Sequence, residues 1–232
     1  MRKAVDMHAG ETPKYWGERV AGVITTFNTE HKVVALTLDA CGGKKDGYDK
    51  SLIDYLIEKK IPATLFINAR WIDKFPLEFE ALATNPLFEI ENHGMKHLPC
   101  SVSGKVAYGI QGTKSGQEVV EEIELNADKI EALTGRRPLF YRCGTAYYDE
   151  IAINISQQLG CNVVGFSILG DAGATYSANQ VETAVLQAKP GDIIICHMNH
   201  PESGTAAGLK MAIPSLLQRG FSFARFAEVV TF

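Results

Sequence analysis

Apolar and polar positions along the chain switch between a strand-like period of two and a helical period, and the switches mark out its elements. Apolar runs of strand length stand at Val33–Asp39, Ala63–Asn68 and Asp192–His197. Less regular strands are predicted over Val20–Phe27, Leu87–Asn92, Pro138–Arg142, Asn162–Leu169 and Phe221–Val230. Helical spacing predicts helices over Tyr48–Lys59, Phe75–Thr84, Gln117–Leu133, Glu150–Leu159, Val181–Ala188 and Leu209–Gln218. The helix over Gln117–Leu133 is the most regular. Its stripe is Val119, Val120, Ile123, Leu125, Ile130 and Leu133, with Gly135 as C-cap. Strand and helix alternate at least six times with no repeated unit, which predicts a largely parallel α/β sheet or barrel. Leu98–Ser115 contains Gly and Ser and is long enough to be a functional loop rather than a plain connection.

The strand ends carry the chemistry. Phe88–His97 reads Phe-Glu-Ile-Glu-Asn-His-Gly-Met-Lys-His. Alternation puts Phe88 and Ile90 on the helix layer and Glu89, Glu91 and His93 on the other face. Gly94 then permits a turn that returns His97 to His93, and two imidazoles beside a carboxylate suit a divalent metal. Asp39, His93, Arg142, Asp171 and His197 each fall at or just beyond the C-terminal end of a predicted strand. In parallel α/β folds that end of the sheet forms the active face, so residues of these types there make a catalytic centre.

Composition narrows the classes. The chain has 232 residues, 46% of them hydrophobic, with a net charge of −4 and no low-complexity stretch. That is one large folded domain, and the absence of a Lys/Arg stripe argues against nucleic acid as a partner. No apolar run reaches the ~18 residues needed to span a bilayer, and Met1–Lys14 has no signal-peptide core. The chain is therefore intracellular, or its signal has been removed; localisation and oligomeric state stay open. Five cysteines without paired spacing are not a disulfide framework. Cys161 and Cys196 read as core residues, whereas Cys41 and Cys143 flank the active-site candidates and are candidates for reactivity.

With these motifs in place, the chain resembles the polysaccharide deacetylases of carbohydrate esterase family 4, the NodB-homology domain. Thr37-Leu38-Asp39-Ala40 is similar to the family's Thr-Phe-Asp-Asp, and Asn92-His93-Gly94-Met95-Lys96-His97 to its Asn-His-(Ser/Thr)-x-x-His metal motif. Tyr141-Arg142 opens a third motif, Gly170-Asp171 falls at the fourth, and Ile194-Ile195-Cys196-His197 matches the last. Order and spacing agree from about Lys32 onward. The resemblance implies a distorted (β/α) barrel with mostly parallel strands, residues 31–232 forming the catalytic domain and 1–30 an extension packing on it. It also implies an acetylated carbohydrate substrate, a divalent metal (zinc first; cobalt, nickel or manganese as alternatives) and a polymer met outside the cytoplasm.

The resemblance assigns roles residue by residue. His93 and His97 are metal ligands, His197 is the general acid, Asp171 orients and charges it, and Arg142 keeps Asp39 ionised. The sequence departs from the family at three points. Ala40 replaces the second aspartate of the first motif, Cys143-Gly144-Thr145 replaces the Pro and aromatic residue of the third, and Ala172 replaces the Trp of the fourth. Asp39 therefore faces two jobs. Contact with the metal is the favoured one, with Glu91 as base; if Asp39 is the base, Glu91, His200 or water completes the ligands. Trp71, Tyr108, Tyr147 and Tyr148 are candidates for stacking on sugar faces. The reading is a metal-dependent carbohydrate deacetylase, against a catalytically weak sugar-binding relative or a hydrolase of non-peptide C–N bonds in a small molecule.

Overall fold

The computed structural model describes residues 10–230, which divide into two compact units. The first comprises 10–24, Phe66–Lys74 and Glu91–Gly165; the second comprises Thr25–Leu65, Phe75–Ile90 and 166–230. Of the expected N-terminal extension, 1–9 lie outside the described residues, 10–24 belong to the first unit and 25–30 to the second. In chain order the elements begin with β1 (Val33–Ala40), α1 (Lys50–Lys59), β2 (Ala63–Ile67), α2 (Ala69–Lys74), α3 (Pro76–Thr84) and β3 (Phe88–Asn92). A hairpin of β4 (Val106–Ala107) and β5 (Ile110–Gln111) precedes α4 (Gly116–Thr134) and β6 (Phe140–Tyr141). Next come α5 (Glu150–Gln158), β7 (Asn162–Val163), β8 (Ile168–Leu169) and α6 (Ala178–Val185). These are followed by β9 (Ile193–His197), α7 (Thr205–Gln218), β10 (Ser222–Phe223) and α8 (Phe226–Val229).

In the second unit β9 lies between β1 and β8, all parallel, and β10 pairs with the start of β1. Val34, Ala35, Leu36, Leu38, Ile193, Ile194 and Cys196 are all 0% exposed, which is why these strands read as continuous apolar runs instead of alternating. Burying each Leu or Ile side chain contributes roughly 1.5–3 kcal/mol. The register of the β1–β9 pair sets Asp39 opposite His197 at the strand ends.

In the first unit β6 lies between β3 and β7, again parallel, with Asn92 opposite Tyr141. The helix α4 is capped by Ser115, whose hydroxyl accepts from Glu118 N at 3.2 Å, and ends at Gly135 (φ 72°). Asp149 caps α5 through Ala152 N at 2.8 Å.

The elements differ from expectation where local chemistry intervenes. Asn68 does not extend β2: its Oδ1 accepts from Arg70 N at 3.1 Å and starts α2, a six-residue helix too short to show periodicity. Val20–Phe27 is no strand; Gly22 (φ 95°) turns the chain, and Ile24 and Thr26 make only isolated bridges, to Val164 and Asp192. The run Asn162–Leu169 splits into β7 and β8, and Phe221–Val230 into β10 and α8. Among the described residues no helix is long and apolar enough to cross a membrane.

Candidate active site

The six predicted site residues fall into two groups of three. His93, His97 and Arg142 belong to the first unit; Asp39, Asp171 and His197 belong to the second.

In the first unit, the chain leaves β3 at Asn92 and turns at Gly94, where φ is 78° and a Cβ would come within 2.5 Å of Glu122 Oε1. Only glycine fits there. Asn92 Oδ1 accepts from Gly94 N at 2.8 Å and from Asn126 Nδ2 at 2.7 Å, while Asn92 Nδ2 donates to Ile123 O at 2.8 Å. From α4, the buried Glu122 carboxylate accepts from Lys96 N at 2.9 Å and Leu98 N at 3.1 Å. Burial pushes that carboxyl above the ordinary range. Clamped in this way, the rings of His93 and His97 stand edge to face with centroids 4.8 Å apart. His97 has φ 62°, a left-handed conformation that costs a non-glycine residue about 1 kcal/mol or more. Gly144, within the departure from the family's third motif, makes room for it: a Cβ there would sit 2.8 Å from His97 Cγ.

His93 Nδ1 donates to the carbonyl of Arg142 at 2.7 Å, because a backbone oxygen can only accept. In the neutral ring this contact selects the tautomer with the lone pair on Nε2, the form in which an imidazole ligates metal. Two adjacent imidazoles, one held in this tautomer, fit a borderline-soft divalent ion. Arg142 is 0% exposed, donates through Nη2 to Gly165 O at 2.8 Å and lies 4.3 Å over the Phe66 ring. Glu91, the sequence's candidate base or third ligand, has its Oε2 committed to Leu139 N (2.9 Å) and Phe140 N (2.8 Å) at the start of β6. Cys143 is buried and its thiol is pushed up to about 12, chiefly by burial, which removes it as a reactive candidate.

In the second unit, Asp39 is 2% exposed at the end of β1 and Ala40 is 0% exposed. Asp171 is wholly buried. Its Oδ1 accepts from His197 Nδ1 at 2.8 Å, and its Oδ2 accepts from His197 N at 2.7 Å and Thr205 Oγ1 at 2.9 Å. Gly170 lets this turn press on β9, since a Cβ would meet Cys196 Sγ at 2.5 Å. Burial opposes charge on both partners, but their mutual attraction prevails. Asp171 is held below the ordinary carboxylate value and His197 well above the ordinary histidine value. Half-buried Cys41 also hydrogen-bonds His197 and favours its charged form. His200 turns instead to Glu202, with Nδ1 3.0 Å from Oε1.

Sequence reasoning missed Glu122, Asn126 and Thr205. The signal for the first two was present: both lie on the apolar face of α4, among Val119, Ile123, Ala127 and Ile130, where a polar residue needs a buried partner. Of the candidate stacking residues, Trp71 and Tyr148 are fully buried, Tyr147 is half-buried and Tyr108 is 72% exposed.

Comparison with known proteins sets these halves in a family. The polysaccharide deacetylase family model matches residues 27–164. A peptidoglycan N-acetylglucosamine deacetylase has a similar structure, with TM-score 0.76 and 22% identity over 90% of this chain and 92% of that one. A carbohydrate esterase family 4 pseudoenzyme from Bacillus anthracis gives 0.74 and 20%, over 91% of this chain and 69% of that one. A family 4 acetyl xylan esterase from Clostridium thermocellum, solved with cobalt, gives 0.70 and 23%, over 85% and 89%. At these identities the likeness bears on the fold, and the fold is the distorted (β/α) barrel with mostly parallel strands that the motifs implied.

Proposed function

The chain belongs to the polysaccharide deacetylase family, and from that membership we propose that it is a metal-dependent hydrolase removing acetyl groups from an N- or O-acetylated carbohydrate. The observation that carries the reading is the contrast between two histidines, one whose Nδ1 donates to a backbone carbonyl and one whose Nδ1 is held by a buried carboxylate. A bound divalent metal, zinc first, with cobalt, nickel or manganese as alternatives, would polarise the acetyl carbonyl and acidify a water. His93 and His97 hold it through ring nitrogens. Asp39 supplies the third ligand, since two neutral imidazoles alone hold such an ion poorly. His197 is the acid: with Nδ1 tied to Asp171, the proton at Nε2 is the one delivered to the leaving nitrogen or oxygen. The cobalt in the Clostridium esterase supports the choice of a metal.

A second reading, a catalytically weak sugar-binding relative, is favoured by one observation. Ala40 is buried and offers no donor where the family has its second aspartate. Metal analysis of the purified protein, paired with acetate release from acetylated chito-oligosaccharides and acetylated xylan, decides between the two. Near-stoichiometric metal with acetate release supports the deacetylase; no retained metal, even after addition, overturns it. Asp39→Asn is expected to lower metal affinity by about tenfold or more, with Cys41→Ser close to native. The reverse ranking would transfer the ligand role to Cys41.

A further inference from the structure

We propose that Trp16, Tyr108 and Tyr147 form a platform on which a pyranose ring of the acetylated carbohydrate stacks, beside the sugar being deacetylated. The proposal rests on the deacetylase reading for its substrate class, and on the first unit alone for its geometry.

The three rings form one continuous group. The Tyr147 centroid lies 5.7 Å from Trp16 at an interplanar angle of 54°, and 5.4 Å from Tyr108 at 83°. They come from three separate segments, and each is held from below. Glu150 accepts from Lys14 N (2.6 Å) and Tyr15 N (3.0 Å), and Gly17 exchanges two backbone hydrogen bonds with Tyr148, which fixes the segment carrying Trp16. The Tyr147 carbonyl accepts from Cys100 N at 2.9 Å and Cys143 Sγ at 3.2 Å. Tyr108 sits at the tip of the β4–β5 hairpin with Gly109, at φ 50° and 76°. Two consecutive positive values make the tight turn of a two-residue hairpin, and a large aromatic at its first position is a costly choice. The ring is nonetheless held out, 72% exposed, with its hydroxyl donating to Glu18 Oε1 at 3.1 Å.

The chemistry around the rings is that of a sugar site and not of an apolar protein interface. Ring faces accept the C–H faces of a pyranose, while hydroxyl edges need donors and acceptors nearby. Lys105 Nζ, 5.9 Å from the Trp16 centroid, the Glu18 carboxylate and the Tyr108 hydroxyl supply them. The three rings and the two histidines belong to the same unit. Tyr147 follows three residues after Gly144, which packs directly against His97. In this proposal a carbohydrate chain with one residue at the histidines places a neighbouring residue on these rings.

The test uses the protein's own fluorescence. The chain has two tryptophans, and Trp71 is fully buried, so a change on sugar binding reports Trp16. Titration with tetramers of N-acetylglucosamine or of acetylated xylose is expected to quench that emission saturably. Tyr108→Ala should weaken the binding by about tenfold, and Tyr108→Phe, which keeps the ring but loses the hydroxyl and its tether to Glu18, should lose less than Tyr108→Ala. The KM for the tetramer should rise by the same factor, with turnover of monomeric N-acetylglucosamine unchanged. Two results overturn the platform: neither tetramer moves Trp16, or Tyr108→Ala binds them as tightly as the native chain. The titration requires no turnover, so its failure is distinct from that of the deacetylase reading. An inactive protein whose Trp16 still responds keeps the platform, and an active one whose KM ignores Tyr108→Ala loses it.

Discussion

His93 and His197 are the same residue at equivalent places, one just past the end of β3 and the other closing β9, yet the two units make them opposite in character. Each has Nδ1 in a short hydrogen bond, 2.7 Å for His93 and 2.8 Å for His197. The difference lies in the acceptor. The Arg142 carbonyl carries no net charge, and the neutral His93 ring that donates to it has its lone pair on Nε2. The Asp171 carboxylate draws His197 into the charged state, leaving an N–H at Nε2. On the proposed reading, one atom's partner separates a metal ligand from a proton donor.

The sharpest way to break this comparison is to remove the member that a carbonyl holds. His93→Ala should lower metal affinity by more than about a hundredfold. It also leaves the Arg142 carbonyl without its donor, at a stability cost of roughly 1–3 kcal/mol. Elemental analysis and a thermal melt measure both; retained metal would remove His93 from the ligand set. Next in size is Asp171→Asn, which keeps the shape and removes the charge. Turnover should fall by about 10²–10⁴ with metal content unchanged, and the alkaline limb of the pH–rate profile should move to lower pH. The signs are these. The raised His197 contributes stability that is complete below its unfolded value near ~6.5 and is lost as pH climbs through the folded value. The lowered Asp171 contributes above its unfolded value near ~3.9 and is lost as pH falls through the folded value. The stability gap between native and Asp171→Asn should therefore be widest between about pH 4 and 6.5, and pH-resolved denaturant titrations would show a flat gap if the pair were uncharged.

Much of this was legible in the sequence, for identifiable reasons. β1 and β9 are buried on both faces, so their residues spell out uninterrupted apolar runs, and the polar residue closing each run marks the site. The tight approach at Gly94 likewise follows from the residue type. What escaped was whatever depends on distant partners. Alternation predicts Glu91 beside His93, yet its carboxylate goes to Leu139 and Phe140, forty-eight and forty-nine residues away. Asn68 reads as the end of a strand until its side chain is seen starting α2. Trp71 and Tyr148 look no different in sequence from Tyr108, and only packing separates buried rings from an exposed one.

Glu122 provides the finest test, because it is the first unit's counterpart to Asp171: a buried carboxylate accepting backbone N–H groups beside a histidine. Burial dominates here, and its carboxyl is raised where that of Asp171 is lowered. Two effects therefore oppose each other in Glu122→Gln. The amide relieves the cost of a buried charge, but it turns an NH₂ group toward the donors of Lys96 and Leu98 that both carboxylate oxygens now serve. The net stability change should be small, about 1 kcal/mol, and it should shrink at neutral pH, where the raised carboxyl is least favourable to the folded state. The loop is less forgiving than the global fold: with one clamp loosened, His97 loses its fixed distance from His93, and metal affinity should fall by about tenfold. Calorimetric metal titration against a thermal melt separates the two readouts. A variant that melts earlier but binds metal normally would mean that Glu122 only stabilises α4, and that Asn68, Asn92 and Asn126 suffice to hold the histidine turn in place.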